Sequence, residues 1–110
     1  MLQMALLGEM RISHGGRQSE LPRSRKTRAL LAYLALSAGT AHRREKLAGL
    51  FWPDADDEDA RKSLRHALWR IRKTIEPDAA TASYLLTDDL AVSFDAGADY
   101  WLDAAVLARG

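Results

Sequence analysis

The sequence contains no cysteine, and this absence excludes two common ways of stabilising a small protein. A disulfide framework and a thiolate metal site both need thiols, and small secreted folds often depend on such supports. The composition therefore fits the reducing environment of a cytoplasm. No apolar run approaches the roughly 18 residues that a membrane span needs, and residues 1–8 are too short and too uncharged for a signal peptide. We expect a soluble, cytoplasmic protein with no membrane partner.

The chain is short, but it has enough apolar residues for one hydrophobic core. Of its 110 residues, 47% are hydrophobic, which suits a single domain. The formal net charge of +1 conceals a separation of charge along the chain. Fifteen of the sixteen lysines and arginines lie between Arg11 and Lys73, whereas residues 74–110 contain seven acidic residues and one basic residue. This separation predicts a positive region that an anionic partner would meet, although a solvated surface of mixed charge is the alternative.

Short apolar segments near both ends of the chain predict β-structure. Near the N-terminus, residues 2–12 contain two such segments, followed by a glycine turn at 15–16 and an expected third strand over 18–21. Near the C-terminus, residues 84–87 and 90–94 flank two consecutive aspartates, which favour a turn. The sequence therefore predicts a small N-terminal sheet and a C-terminal hairpin.

Between these strands, three segments have the apolar spacing of amphipathic helices. The first begins at an N-cap residue, Ser24, and is closed by Gly39; the second begins at about Arg43 and ends before Pro53; the third begins at a run of four acids and ends at Ile75. The residues expected to face the core are Leu30, Leu31, Leu34 and Ala38 in the first helix, Leu47, Leu50 and Phe51 in the second, and Ala60, Leu64, Leu68, Ile71 and Ile75 in the third. Strands, three helices and a hairpin together predict an α+β fold.

The face of the third helix opposite its apolar stripe is basic and carries a tryptophan. With about 100° between successive residues, the outward direction holds Lys62, His66, Trp69 and Lys73, and Arg65 and Arg70 flank them. Positive charge attracts such a helix to phosphates, arginine and histidine can reach base edges, and an indole can contact thymine methyl groups. With the helix before it, the segment has the arrangement of a helix-turn-helix. Two alternatives are a merely solvated basic face and a Trp69 that the hairpin or a neighbouring domain covers.

Two stretches of the sequence closely resemble a family of bacterial DNA-binding domains. They read KTRALLAYLALSAGTAHRREKLAGLFWPD and ARKSLRHALWRIRKTIEP. Over nearly its whole length the chain is similar to the OmpR/PhoB-type winged helix, in the SARP branch of antibiotic-regulatory transcriptional activators. The most specific parts are residues 50–54 and 63–73. The resemblance implies a winged helix-turn-helix with a short N-terminal antiparallel sheet, three helices and a C-terminal β-hairpin wing.

The resemblance also implies which residues meet double-stranded DNA. The third helix would lie in the major groove, and the wing would reach the adjoining minor groove or backbone. Base-facing residues would be Lys62, Arg65, His66, Trp69 and Arg70, and phosphate contacts would come from Arg43, Arg44, Trp52, Ser63, Arg72 and Lys73. Arg25, Lys26 and Arg28 could add phosphate contacts or could simply solvate the first helix. Related wings usually carry arginine or lysine, whereas LLTDDLAVSFD carries only acids, which argues against minor-groove reading here.

Further partners are implied by the same resemblance. In related activators, the acidic loop before the third helix contacts RNA polymerase, and the proteins bind direct repeats as a head-to-tail pair. Such proteins continue into a helical, tetratricopeptide-like activator domain, entered through a segment that resembles residues 100–106. We therefore predict a DNA-binding domain over residues 1–97, with residues 98–110 as the linker and first helix of the activator domain. The alternative is that this tail folds back on the domain's own sheet.

Other kinds of chemistry find little support in the residues. The acidic cluster at 54–59 lacks the glycine and the glutamate that an EF-hand loop requires. The three histidines, His14, His42 and His66, share no metal-ligand spacing. The sequence has no nucleophile elbow and no phosphate-binding glycine loop. We expect no metal, no cofactor and no enzymatic activity, and the rival function is a protein interaction module that uses the basic face around Trp69.

Overall fold

The structure, a computed structural model, describes residues 2–5, 10–14, 16–76, 84–97 and 100–102, with the backbone alone for residues 14 and 100–102. Its elements in chain order are β1 (Leu2–Ala5), β2 (Arg11–His14), β3 (Arg17–Gln18), α1 (Arg25–Leu36), β4 (His42–Arg43), α2 (Arg44–Phe51), α3 (Asp57–Ile75), β5 (Leu85–Thr87), β6 (Ala91–Phe94) and β7 (Tyr100–Leu102). The predicted α+β class and the predicted order of strands, three helices and hairpin are confirmed.

The strands form two sheets. The first has the order β3-β2-β1-β7, in which β1, β2 and β3 make the antiparallel N-terminal sheet that the sequence predicts. Strand β7 adds a parallel edge strand beside β1, with Tyr100 opposite Leu2. The second sheet has the order β4-β6-β5 and contains the predicted C-terminal hairpin. The backbone of residues 100–102 therefore pairs with the domain's own sheet. The rest of the predicted tail, residues 98–99 and 103–110, lies outside the described residues.

Strand β3 is shorter than the sequence predicts. The expected strand covers residues 18–21, whereas β3 covers only Arg17–Gln18. One further hydrogen bond, from the Ser19 N–H to the Ile12 carbonyl at 2.8 Å, ends the pairing. The chain then turns toward α1 at Pro22, which is buried and has no N–H to donate to a neighbouring strand. Strand β3 is short because the chain leaves the sheet after Ser19 and turns at Pro22 to begin α1.

Helix α1 begins at the predicted cap, because the Ser24 Oγ accepts a hydrogen bond from the Thr27 N–H at 3.3 Å. After the helix ends at Leu36, Gly39 adopts a left-handed conformation with φ of +90°. A residue in this conformation reverses the chain direction after a helix, and glycine does so without strain. The Gly39 N–H then donates to the Phe94 carbonyl at 2.9 Å, which ties the end of α1 to strand β6.

The prediction that Leu50 faces the core is wrong. Leu50 is 55% exposed, whereas Leu47 on the same helix is 1% exposed. Ala48 is buried and Phe51 packs against the core from a half-buried position. At about 100° per residue, these three core-facing residues share one sector of α2, and Leu50 points roughly 110° away from its centre. A helix of eight residues has too few turns for apolar spacing to identify the buried side.

Helix α3 begins at the predicted run of acids, and Asp56 caps it. The Asp56 Oδ1 accepts a hydrogen bond from the Asp59 N–H at 2.8 Å. Acidic residues in the first turn and Arg72 and Lys73 in the last turn complement the helix dipole. The buried residues are Ala60, Leu64, Ala67, Leu68, Ile71, Thr74 and Ile75, which include all five predicted core positions. The opposite face of α3 is left to solvent.

The helices and strands share one hydrophobic core. Among the largest fully buried side chains are Met4 and Ile12 from the N-terminal sheet and Phe94 from β6. Helix α3 contacts both α1 and α2 and also reaches β2, so its buried stripe lies at the centre of this core. No helix within the described residues is long and apolar enough to cross a membrane.

Candidate nucleic-acid interface

The outward face of α3 is organised around Trp69. Its side chain is 50% exposed, and its indole stacks on the His66 imidazole with ring centroids 6.0 Å apart and an interplanar angle of 22°. The Lys73 Nζ lies 5.3 Å from the indole centroid, close enough for a cation–π interaction. These three predicted site residues therefore lie together, and half of the Trp69 surface is accessible.

Closer to the N-terminus of α3, two more predicted base-facing residues are accessible. Arg65 is exposed on the helix surface. The Lys62 Nζ lies 3.9 Å from the Glu58 Oε1, and both side chains are more than half exposed. An exposed ion pair of this kind contributes little to stability, so a phosphate or a base could replace Glu58 at small cost. Lys62 and Arg65 thus extend the basic face along the helix.

Arg70 and Ser63 lie on one flank of α3 and not at its outermost line. Both are half-buried. Arg70 lines a groove of about 300 Å³ together with Ser19, Glu20, Lys73 and Thr74. Its position next to the residues that follow β3 places its guanidinium at the side of the helix that faces the N-terminal sheet. Arg70 is therefore at the edge of the basic face, as its flanking position in the sequence predicts.

The other flank of α3 borders a cleft between the start of α2, the first turns of α3 and the turn of the hairpin. The cleft has a volume of about 690 Å³. Its lining includes the cations Arg43, Arg44, Arg61 and Arg65, the indole of Trp52, and the acids Glu45, Asp57 and Asp89. The cleft therefore brings together three predicted phosphate-contacting residues, Arg43, Arg44 and Trp52, and one predicted base-facing residue, Arg65.

Trp52 and the basic start of α1 contact each other. The Lys26 Nζ lies 6.0 Å from the Trp52 ring centroid, and the Arg28 Nη1 donates to the Pro22 carbonyl at 3.4 Å. Trp52 is half-buried, with its ring 6.2 Å from that of Phe51. These contacts favour the second interpretation of the basic residues in α1, in which they cover and solvate the first helix.

Arg44 and Arg72, both predicted phosphate contacts, have partners within the protein. The Arg44 Nε donates to the Asp88 carbonyl at 2.7 Å. The Arg72 Nη1 lies 3.3 Å from the Glu76 Oε1, and its Nη2 donates to the Thr87 Oγ1 at 3.1 Å. Both arginines are thus held against the hairpin.

The hairpin itself is acidic and partly apolar. Residues 84–97 contain no lysine or arginine, and Leu86 and Leu90 are 47% and 62% exposed. The Asp88 Oδ1 accepts hydrogen bonds from the N–H groups of Leu90 and Ala91, both at 2.7 Å. These bonds, with the positive charges of Arg44 and Arg43, lower the pKa of the Asp88 carboxyl below its ordinary value of 3.8. The hairpin turn therefore keeps its negative charge at neutral pH.

Glu76 is a structural residue that sequence reasoning missed. Its Oε2 accepts hydrogen bonds from the N–H groups of Tyr84 and Leu85, both at 2.8 Å, while its Oε1 pairs with Arg72. An acid that follows the last turn of a helix opposes the helix dipole. That unfavourable placement is the signal in the sequence that could have pointed to specific partners for Glu76.

Within the described residues, no group of three or more histidine, aspartate or glutamate side chains could hold a metal ion. The arrangement instead combines an exposed basic helix, a short helix packed before it and a hairpin beside both. This arrangement defines the class of winged helix-turn-helix DNA-binding domains. Residues 18–89, more than half of the chain, match the family described as "Transcriptional regulatory protein, C terminal". The chain belongs to this family, whose members are DNA-binding domains of the OmpR/PhoB type.

A solved structure supports the same assignment. The chain is similar to the response regulator DrrB of Thermotoga maritima, described as an OmpR/PhoB homologue, with 30% sequence identity and a TM-score of 0.64. The match covers 78% of this chain and 38% of DrrB, so the chain corresponds to well under half of that protein. A comparison with curated proteins finds no match.

Proposed function

We propose that this chain binds specific sequences of double-stranded DNA as part of a bacterial transcriptional regulator, with α3 in the major groove. The observation that carries the proposal is the exposed face of α3, where Trp69, His66 and Lys73 lie together. All of the acidic residues of α3 lie in its first turn, so the rest of this face attracts phosphates without opposing charge. In the major groove, hydrogen-bond donors can bind base edges and an aromatic ring can contact thymine methyl groups.

The proposal assigns different tasks to different parts of the surface. The base-facing residues are Lys62, Arg65, His66 and Trp69, along the outermost part of α3. Arg70 stands at the flank next to the N-terminal sheet, from which it reaches a base or the adjoining phosphate. Arg43, Ser63 and Lys73 lie where the two phosphate backbones border a major-groove helix. Trp52, at the cleft between α2 and α3, packs against a sugar-phosphate backbone.

Fluorescence anisotropy of a labelled duplex, titrated at several salt concentrations, tests the proposal. If about six phosphates are neutralised, log affinity should fall with log salt at a slope of roughly −5. Charge reversal at Lys62, Arg65 and Arg70 should abolish binding. Lys46→Glu is the matched control, because Lys46 is exposed on α2 but does not line the cleft, and its reversal should weaken binding only slightly. Binding that is indifferent to salt, or to the reversals in α3, would contradict DNA recognition by this helix.

The finer features of the proposal come from the resemblance to SARP activators. We propose an activator that binds direct repeats as a head-to-tail pair and that contacts RNA polymerase through the acidic residues 54–59. Residues 1–97 would form the DNA-binding domain. Residues 98–110 would lead into a tetratricopeptide-like activator domain, with β7 (Tyr100–Leu102) paired to β1 at the junction. A bacterial regulator of this kind works in the cytoplasm. Binding to a single half-site and to a direct repeat, compared by gel shift, tests the pairing: only the repeat should give a cooperative second complex.

A second candidate function is a protein interaction module. The observation in its favour is the hairpin, which has exposed Leu86 and Leu90 and no basic residue. Apolar side chains in an acidic setting suit a protein partner better than DNA. The salt titration separates the two functions, because association through apolar contacts does not weaken steeply with salt. Tight binding to duplex DNA with a steep slope, abolished by the charge reversals in α3, would assign recognition to α3 and leave the hairpin a different task.

A further inference from the structure

Two arginines from different helices converge on consecutive residues of the hairpin. Arg44 is the first residue of α2, and its Nε donates to the Asp88 carbonyl at 2.7 Å. Arg72 lies in the last turn of α3, and its Nη2 donates to the Thr87 Oγ1 at 3.1 Å. Because Thr87 and Asp88 are neighbours in the chain, these bonds join the start of α2 to the end of α3 through one point of the hairpin.

Main-chain bonds reinforce the connection on the side of α2. The Arg44 N–H donates to the Leu90 carbonyl at 2.9 Å, and strand β4, which leads into α2, pairs with β6. Across the turn, the Asp88 N–H donates to the Ala91 carbonyl at 3.0 Å while the Asp88 carboxylate accepts two backbone N–H groups. The turn that Arg44 contacts is therefore closed by its own hydrogen bonds and can act as a fixed support.

The side of α3 is reinforced by Glu76. Only 10% of its side chain is exposed, and its two oxygens bind different elements: Oε1 pairs with Arg72, and Oε2 accepts the N–H groups of Tyr84 and Leu85. Hydrogen bonds to an ionised group are about twice as strong as neutral ones. Glu76 thus orients the Arg72 guanidinium and at the same time fixes the point where β5 begins.

The charge of the hairpin fits a supporting role better than contact with DNA. Its turn carries Asp88 and Asp89, and residues 84–97 supply no cation that could offset their repulsion from phosphates. An arginine whose donors are taken by the hairpin also has fewer left for phosphate oxygens. The two guanidinium groups that sequence reasoning assigned to phosphates are held instead against the hairpin's own atoms.

We propose that Arg44 and Arg72 are positioning residues. Arg44 binds the hairpin at Asp88 and Arg72 binds it at Thr87, and together they fix the start of α2 relative to the end of α3 on DNA. In this role, the hairpin supports the recognition helix by holding α2 and α3 in a fixed relative position, and its acidic turn need not enter the minor groove. The proposal rests on DNA binding through α3, and it reassigns two of the predicted phosphate contacts.

Paired substitutions separate positioning from phosphate contact. Lysine keeps the positive charge but loses the planar guanidinium fork, whereas glutamine of similar length loses the charge. The test therefore compares Arg44→Lys with Arg44→Gln, and Arg72→Lys with Arg72→Gln, in the whole 110-residue chain. Lys73→Arg and Lys73→Gln are the matched controls, because Lys73 is exposed on α3 and is one of the proposed phosphate contacts. The readouts are duplex affinity by anisotropy at several salt concentrations and hydrogen exchange of the Leu90, Ala91 and Leu85 amides.

If the two residues are positioning residues, lysine and glutamine at position 44 or 72 should weaken duplex binding to a similar extent. The salt slope should stay unchanged, because no phosphate contact is lost. Exchange of the hairpin amides should become about tenfold faster or more, as expected when a hydrogen bond to a charged group is removed. At position 73, glutamine should reduce the magnitude of the slope by about 0.9, arginine should preserve it, and the hairpin amides should not change.

The proposal would be overturned if Arg44→Gln or Arg72→Gln reduced the magnitude of the slope by about 0.9, lysine restored it, and hairpin exchange stayed constant. Failure of the proposed DNA-binding function gives a different result. In that case no variant, including those at Lys73, would change duplex affinity or its slope. Hydrogen exchange of the hairpin amides would then still show whether Arg44 and Arg72 bind and stabilise the hairpin.

Discussion

The His66 imidazole and the Trp69 indole stack with an interplanar angle of 22° on the exposed side of α3. The two residues are three positions apart, which brings side chains together on one face of a helix. The stack presents a flat, partly apolar surface with donors at its edges. Such a surface is costly to leave in water, and it suits the edges and methyl groups of bases in the major groove.

Substitution of Trp69 should therefore weaken DNA binding without a change in salt dependence. We expect Trp69→Ala to lower duplex affinity by about tenfold or more, as for tryptophans at the centre of other interfaces. The salt slope should not change, because no charge is removed, and Trp69→Phe, which keeps a ring, should recover much of the affinity. Anisotropy titrations measure all three. Equal affinity for the alanine variant and the unaltered chain would remove Trp69 from the interface.

Two leucines of α2 should differ sharply in their contribution to stability. Leu47 is 1% exposed and Leu50 is 55% exposed. Leu47→Ala should lower the free energy of unfolding by about 2–5 kcal/mol, because it removes buried methyl groups and leaves a cavity. Leu50→Ala should change it by no more than about 0.5 kcal/mol. Urea unfolding followed by circular dichroism measures both variants, and similar losses in the two would show that Leu50 is buried after all.

Two glycines should respond to alanine with opposite signs. Gly39 has φ of +90°, which L-residues rarely adopt, so Gly39→Ala should destabilise the fold by about 1 kcal/mol or more. Gly49 lies inside α2, and a Cβ there would meet no atom within 4 Å. Gly49→Ala should therefore stabilise the fold by about 0.5–1 kcal/mol, because alanine loses less conformational freedom in a helix. Thermal unfolding of the two variants gives the signs directly, and a stabilising Gly39→Ala would rule out the left-handed turn.

The ionised Asp88 carboxylate should stabilise the hairpin turn at neutral pH and lose this effect only in acid. The pKa of Asp88 lies below 3.8 in the folded chain, because the N–H groups of Leu90 and Ala91 donate to its carboxylate and Arg44 lies nearby. A pKa lowered by folding contributes stability that is present above the unfolded-state pKa and is lost as the pH falls through the folded-state pKa. The difference in unfolding free energy between the unaltered chain and Asp88→Asn should therefore shrink below pH 3.8.

Urea unfolding of both chains between about pH 6 and pH 2 measures this difference, and NMR titration of the Asp88 carboxyl carbon gives its midpoint. The comparison with Asp88→Asn cancels the titration of the other acids, which both chains share. A midpoint at or above 3.8 would contradict the hydrogen bonds drawn to this carboxylate.

The parts of the fold that the sequence predicts are those encoded by long local patterns. Helix α3 has five turns, so its apolar spacing identifies the buried stripe, including Leu64 and Ile71, and with it the opposite, basic face. The cap at Ser24 is equally local, since donor and acceptor lie three residues apart. Trp69, His66 and Lys73 come together for the same reason, because they share one face of one helix.

The parts that the sequence does not predict depend on contacts between distant residues. Strand β4 has two residues and becomes a strand only because β6 pairs with it, and β7 lies beside β1 although about 95 residues separate them. The partner of Arg72 on β5, Thr87, lies beyond the end of its own helix. From the sequence alone, Arg72 is indistinguishable from an arginine that is free to bind phosphate, because its hydrogen bond to Thr87 depends on the tertiary structure.

Some adjacent residues of α3 belong to opposite faces: Leu64 lies in the core, and Arg65 lies on the proposed DNA-reading face. A rotation of the helix by one position, about 100°, would carry a guanidinium toward the interior and a leucine into water, which is too costly to occur. The core therefore sets the angle at which the reading residues are presented. Substitutions on the outward face can change target preference while that angle stays fixed, so specificity and stability are free to evolve at separate positions of one helix.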